Sequence, residues 1–545
     1  MDEQKAAPNP KRWYAMAAVS LAVSIIIMDA TVVNVILPVL IQDLSLNAAE
    51  AEWANSVYAL VFAALLITVG RMGDLFGRRK LLLVGISVFV AASLIAAAAP
   101  SGAVLLAGRL LQGVGGAMIL PSTLSTVNAM FTGRERGIAF AIWGSTIGGM
   151  AAVGPLVGGW LATDFSWHWA FLINVPIGIL IVIGTVLWVP ETRDPHAERG
   201  VDAAGITLSI VGLAALVFSL IEGQRYGWWH TDIAPTVGNW TWEYTMSPVP
   251  FTFAIGVLSI VAFVVVERRR AATGRPVLLD LGLLRIRSLR YGAVAALIVA
   301  LSEFGMLFAL PLYLQGVLGY TALNTGLLVL WLAIGTFLIS GGTAQLARRM
   351  SGRSIVRIGL LLEVIAVAGL ALSISGTASA WVLGAWLFLY GVGVGLATAQ
   401  LTNVIMIDVP VAESGQASGF QSTVRQLGAA LGVAVLGTVL VTTLASATMS
   451  NLEKVEGLTP QAQEELVAVV KGSAGAAIPS LSQMPGAGDA VQTAAEDAMV
   501  TAARVTTFGA AGALLVGLLA TVGLPARNEH DDVEPTTPAD VPAAD

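Results

Sequence analysis

About fourteen apolar runs, each close to the roughly 20 residues needed to cross a bilayer, follow one another along the chain. They lie near 13–38, 53–73, 81–99, 103–127, 137–161, 168–189, 203–222, 250–267, 289–314, 322–347, 355–375, 380–406, 416–446 and 502–524. Lipid offers backbone N–H and C=O groups no partner, so such runs must be helices that satisfy those groups internally. Only 12% of residues are charged and mean hydropathy is +0.79, whereas a soluble domain carries about a quarter charged residues. An all-α integral membrane protein is expected. The first run is too long for a signal peptide and ends without a small-residue cleavage site, so it should remain a helix.

The sharpest break between two runs is Gly70–Arg71–Met72–Gly73–Asp74–Leu75–Phe76–Gly77–Arg78–Arg79–Lys80. Gly70, Gly73 and Gly77 allow two helix ends to approach closely, and Asp74 can cap a helix or pair with a nearby arginine. The cations Arg78, Arg79 and Lys80 place the turn in the cytoplasm. With a cytoplasmic N-terminus, most of the 29 cations fall inside, among them Lys5, Lys11, Arg12, Arg199, Arg268 to Arg290, Arg348 to Arg357 and Arg527. Both termini are then cytoplasmic. Arginine-, alanine- and glycine-rich usage hints at a high-GC bacterial genome, so the bacterial cytoplasmic membrane is the expected location. The absence of cysteine excludes disulfides and thiolate chemistry, and four histidines without ligand spacing make a metal site unexpected. No cofactor is expected, and segregated charge gives no nucleic-acid surface.

Charge inside hydrocarbon is costly and needs a cavity or a partner. Asp29 lies within the first run, in Met28–Asp29–Ala30–Thr31–Val32–Val33–Asn34–Val35–Ile36–Leu37–Pro38, near mid-membrane, and Arg109 opens Arg109–Leu110–Leu111–Gln112–Gly113–Val114–Gly115–Gly116–Ala117. The fifth run, Trp143 to Gly159, repeats small residues on one face, and Gly154–Pro155 should bend it while Gly158 and Gly159 permit close packing. Trp167–His168–Trp169 should anchor the sixth run at the interface. In the second half come Val409–Pro410, then Gly415–Gln416–Ala417–Ser418–Gly419 and Arg425–Gln426–Leu427–Gly428. Arg348–Arg349–Met350–Ser351–Gly352–Arg353 is a degraded counterpart of the Gly70 turn, with no matching acid.

Taken together these strings resemble the major facilitator superfamily, and within it the fourteen-helix drug:proton antiporter branch. The resemblance implies a major facilitator fold of two six-helix halves plus two inserted helices. Residues 1–12 would form a cytoplasmic N-terminus and 13–189 the first half. The linker region 190–288 would hold the two extra helices (203–222 and 250–267) and an aromatic outer loop, 223–249. The second half would span 289–524 with an outer loop at 447–501, and 525–545 would be a disordered tail. It further implies that Asp29 and Arg109 take part in proton coupling, that the Gly70–Arg79 turn governs conformational change, and that the fifth-helix string belongs to antiporters.

Glu303 lies mid-span and matches no family string; position alone makes it a further coupling residue. Glu363 is expected to snorkel or cap in a structural role, and Glu222 to reach water at a helix end. No Walker-type phosphate loop occurs, so the proton gradient is the expected energy source. The expected activity is efflux of amphipathic, cationic small molecules by a monomer in the lipid bilayer. The alternatives are a dedicated exporter of one endogenous metabolite or antibiotic and, with less support, a non-transporting sensor or scaffold. An enzyme is not expected, because no nucleophile–base pair is visible.

Overall fold

The computed structural model describes residues 11–524 except 47, 194–199, 201, 238–239, 347–348 and 484–487. The expected disordered tail, residues 1–10, Lys5, Arg199, Arg348 and Arg527 lie outside the described residues, as does the side chain of Pro155.

The apolar runs are helices. The first half contains α1 (Arg12–Asp43), α2 (Ala48–Phe76), α3 (Arg78–Ala97), α4 (Gly102–Met130), α5 (Gly133–Asp164), α6 (His168–Leu172) and α7 (Asn174–Trp188). Next come α8 (Ala203–Tyr226) and α9 (Val249–Ala272). The second half contains α10 (Arg287–Gly316), α11 (Ala322–Leu346), α12 (Gly352–Ser373), α13 (Ala380–Met406), α14 (Ser414–Leu452), α15 (Pro460–Gly472) and α16 (Asp489–Ala520). Among the described residues twelve helices are long and apolar enough to cross a membrane, α6 and α7 counting as one length. The expected spans at 137–161 and 322–347 are the helices α5 and α11, which fall outside that dozen. Among the described residues α11 carries an apolar length over Leu323–Ile339.

Helices α1 to α7 pack among themselves, as do α10 to α16, and the groups are joined where α2 and α4 meet α14 and where α5 meets α11 and α13. The pair α8–α9 lies outside, with α8 against α2 and α14. Large apolar side chains on α7 and α9 are exposed, among them Leu180, Leu187, Phe251 and Leu258. Water would make that belt costly, whereas hydrocarbon does not.

Beyond the apolar lengths, one end gathers Arg12, Arg78, Arg353 and Arg357. We call it the basic face. At the opposite face, α14 and α16 run on and pack with α15 around Leu452, Leu466, Val470, Leu481 and Met499, giving the 447–501 segment its own apolar core. The aromatic segment carries a small antiparallel hairpin, β1 (Thr236–Val237) with β2 (Trp240–Thr241), the exception to the otherwise helical fold. Its tryptophans divide. Trp229 is 70% exposed, whereas Trp228 donates from Nε1 to Thr438 Oγ1 on α14 at 3.2 Å, so it is a docking contact.

Candidate functional site: a buried ion-pair network and a sealed basic face

Asp29, on α1, is 1% exposed, and Arg109, on α4, is fully buried. Arg109 Nη1 donates to Asp29 Oδ2 at 2.5 Å. The other carboxylate oxygen, Oδ1, accepts from Gln112 Nε2 and Asn174 Nδ2, both at 2.9 Å. Ser93 Oγ on α3 accepts from the same two amides at 2.9 and 3.2 Å. Arg109 Nε donates to Ala54 O at 2.9 Å, and the guanidinium lies 4.5 Å above the Tyr58 ring. A buried charge is tolerated when its partner's geometry is good and its remaining hydrogen-bonding sites are filled. Here five helices supply most of that shell, and Arg109 Nη2 has no hydrogen-bond partner among the described residues.

Their positions set the depth of the network. Ser93 is four residues from the end of α3 and Arg109 seven from the start of α4, about 6 and 10 Å at 1.5 Å per residue. Both ends lie on the face opposite the basic one, so the network sits toward that face and not at the midplane expected for Asp29. Asn174 and Ser93 were not legible as site residues, because each is an ordinary polar residue until the helices meet. Trp167, expected as an interface anchor, is 1% exposed and donates to Asp43 Oδ2 at 2.7 Å; Trp169 is the exposed one. Burying Trp167 ties the end of α1 to the start of α6.

The fifth-helix glycines flank the same acid. A Cβ on Gly154 would strike Thr31 Oγ1 and lie 3.0 Å from Met28 O, and one on Gly158 would lie 2.9 Å from Val32. Thr31 is itself bonded back to Ile27 O and Met28 O. Close approach of α5 therefore fixes the backbone on both sides of Asp29. The backbone remains helical through Pro155 and Gly159.

At the basic face the two halves interlock. Asp74 is fully buried, and its Oδ1 and Oδ2 accept from the backbone N–H groups of Gly415 and Gln416, each at 2.9 Å. These are orphan donors in the first turn of α14, where a carboxylate also meets the positive end of the helix dipole. Arg78 Nη2 pairs with Asp74 Oδ1 at 2.7 Å and donates to Val411 O at 2.6 Å, in the short turn that follows Pro410. Asn128 Nδ2 donates to Ser414 Oγ at 2.7 Å, a further link between the halves. Gly77 has φ +109°, and the space of its missing Cβ is filled by the Glu191 carboxylate, which accepts from Arg79 N and Lys80 N at the start of α3. Arg79 Nη2 caps Val186 O at 2.7 Å. Gly73 has only ordinary contacts, 3.6 Å to Leu81 and 3.7 Å to Arg78, so sterics do not require glycine there.

Gly70 does matter sterically, since a Cβ there would run into Gly415 O and sit 3.0 Å from the Gly419 Cα. Gly70→Ala should wedge α2 from α14 and break the Asp74 bonds without touching any charge. Its expected effect is a basic face that opens more readily, read as faster modification of a single cysteine placed at buried Ser414.

In the second half Arg425, on α14, donates from Nη2 to Glu303 Oε2, on α10, at 3.2 Å. Arg425 is thus separated by about 15 Å of helix from Gly415 in the seal, although the sequence strings run on closely. The degraded turn serves its own half, with Arg353 donating to Val522 O and Arg357 to Thr521 Oγ1. Two expectations fail. Glu363 neither snorkels nor caps: it is 0% exposed, midway along α12. Glu222 is 1% exposed, with Arg225 3.8 Å away, so it does not reach water.

Two half-bundles sealed at one face, with a charged network buried inside one half, define a multi-pass membrane transporter and not an enzyme. Residues 19–433 match the Major Facilitator Superfamily, and the chain belongs to it. It is 32% identical over 469 residues to the Multidrug efflux pump LfrA of Mycolicibacterium smegmatis, covering 86% of this chain and 88% of that protein. It is 32% identical to the Probable actinorhodin transporter of Streptomyces coelicolor, over 82% of this chain and 75% of that one. The Methyl viologen resistance protein SmvA of Salmonella typhimurium is 28% identical over 94% and 98%. Among solved structures, the human organic anion transporter MFSD10 superposes with a TM-score of 0.59 at 15% identity, covering 94% of this chain and 100% of that one; that likeness concerns the fold.

Proposed function

We propose that this chain is a proton-coupled exporter of amphipathic cations with fourteen membrane-spanning helices, the two beyond the apolar dozen being α5 and α11. The basic face is cytoplasmic, as are both termini, because loops rich in Arg and Lys stay inside. The reading is carried by the Asp29–Arg109 pair, an ionisable couple buried in neutral hydrogen-bond donors and placed toward the outer side. Relatives described as multidrug, puromycin and methyl viologen pumps or resistance proteins support efflux.

In this mechanism the structure is the state closed to the cytoplasm, held by Asp74, Arg78 and Gly415. A proton from outside neutralises Asp29 and loosens its hold on Arg109. The halves then rock about α2–α14 and α5–α11, the seal parts, and the site opens inward. There the proton leaves and a cation from the cytoplasm takes its place, since cation and proton compete for the carboxylate. Glu303 and Arg425 form the charged pair of the second half, joined to the seal by the rigid length of α14.

One proton exchanged for one monovalent cation moves no net charge, so each pH unit supplies about 1.36 kcal/mol, or tenfold accumulation. The test uses purified full-length protein in liposomes, with ethidium as the probe and an imposed pH step. Ethidium should move against its gradient, opposite to the proton flux, and stop when the pH step is collapsed. Ethidium flux indifferent to the pH step refutes the reading. A dedicated exporter of one metabolite is the second reading, favoured by the 32% identity to the actinorhodin transporter. A substrate panel in a pump-deleted host separates the two by breadth.

A further inference from the structure

Glu363 is a buried acid of the second half that the mechanism above does not use. It is 0% exposed, and neither Oε1 nor Oε2 has a hydrogen-bond partner among the described residues. Its helix is wedged tightly there: a Cβ on Gly393 of α13 would lie 2.7 Å from Glu363 Cγ, and one on Gly359 would lie 2.7 Å from Ala397 N. Water has no room beside it from that side.

The surroundings are specific. From α13, Tyr390 faces the same region, fully enclosed, and its hydroxyl also lacks a partner. From α10 and α14, Glu303 and Arg425 act on Glu363 electrostatically, one repelling negative charge and the other attracting it. From α16, the residues between Arg504 and Thr521 bring no charged or titratable group. Glu303 already holds its counter-ion, since Arg425 donates to it at 3.2 Å. Glu363 holds none. A carboxylate buried with no donor and no cation neutralises itself in preference to staying charged.

We propose that Glu363 is a second proton-binding site, loaded in the cytoplasm-closed state and emptied when the seal opens, so that two protons enter per turnover. This rests on the proton-coupled reading above and assigns the second proton to Glu363 in place of Glu303. Arg425 is the link to the gate, because it stands on the helix whose first turn Asp74 caps. As the seal parts, α14 shifts, water reaches Glu363, and its O–H proton passes to that water. Arg425, bonded to Glu303 and attracting Glu363 electrostatically, then stabilises both. Nothing is oxidised or reduced, and the charge moved inward rises by one.

The consequence is electrical. One proton for one ethidium is blind to voltage, whereas a second proton makes ethidium accumulation rise about fiftyfold per 100 mV of membrane potential. Wild-type protein in liposomes, at a fixed pH difference and with a potassium-diffusion potential, should show that dependence. Glu363→Gln mimics the protonated side chain in shape and should fold normally, keep pH-driven exchange and lose the voltage response. Glu363→Met, of similar volume, should do the same, which guards against an effect of the amide itself. Wild-type voltage sensitivity retained in both variants overturns the inference. So does a wild type driven by pH but unmoved by voltage, and that result leaves the one-proton mechanism intact. A wild type indifferent to pH refutes the proton-coupled reading itself, and this inference with it.

Discussion

Asp29→Asn should abolish uphill efflux and also destabilise the protein, because Arg109 would be left as a fully buried cation facing neutral groups. Arg109→Gln should do likewise with the opposite charge stranded. Breaking a buried pair by removing one partner costs about 3–5 kcal/mol. Neutralising both is different. In Asp29→Asn/Arg109→Gln the amides can continue the network with Gln112, Asn174 and Ser93, so the double variant should recover much of the lost stability. It should still fail to pump, since no titratable carboxyl remains at that position. Thermal unfolding in detergent measures the first effect, and pH-driven ethidium flux in liposomes the second. A double variant that pumps would separate proton coupling from this network. One no more stable than either single variant would show that the pair is not coupled energetically.

The contrast between these readouts explains what the sequence could convey. Apolar runs and charged interruptions are local, so helix positions were legible, as was the cost of placing Asp29 and Arg109 in hydrocarbon. The glycines of α5 let it lie against Thr31 and Val32 beside Asp29, a close approach that its apolar run alone does not show. Partners were not legible. Asn174 is 145 residues from the Asp29 it donates to, and Gly415 is 341 from Asp74. Trp167 looked like an interface aromatic, which its composition and helix-end position favour, but the bond to Asp43 draws it inside. Glu363 looked peripheral because its depth was counted along one helix. Its burial is set by the helices packed against α12, and only their assembly shows an acid without a counter-ion. The pattern is general to bundles: sequence reports the cost of a buried charge, and tertiary contacts report how that cost is met.

The second large effect concerns the seal. Asp74 brings together one arginine and two backbone donors from the opposite half, and hydrogen bonds to a charged group contribute about 1.5–3 kcal/mol each. Asp74→Asn keeps the shape but removes the charge and replaces one acceptor oxygen with a donor, which then faces an N–H or the Arg78 guanidinium. Losing one such bond is enough to shift a two-state equilibrium by about ten- to a hundredfold toward the cytoplasm-open form. The absence of native cysteine makes the measurement direct, because one introduced thiol is the sole reporter. A Ser414→Cys thiol lies at the contact with Asn128, buried in the sealed state. In the Asp74→Asn background a membrane-impermeant maleimide added from the cytoplasmic side should modify it about ten- to a hundredfold faster. Efflux should fall at the same time, since a carrier held open to the cytoplasm rarely presents its site outside. Arg78→Gln should act in the same direction but less strongly, because the two α14 donors would still hold Asp74. Equal labelling rates with and without the Asp74 charge would mean that the seal is held by the glycine packing of α2 on α14 alone. The Gly70→Ala variant, which attacks that packing and leaves the charges intact, would then show the larger opening.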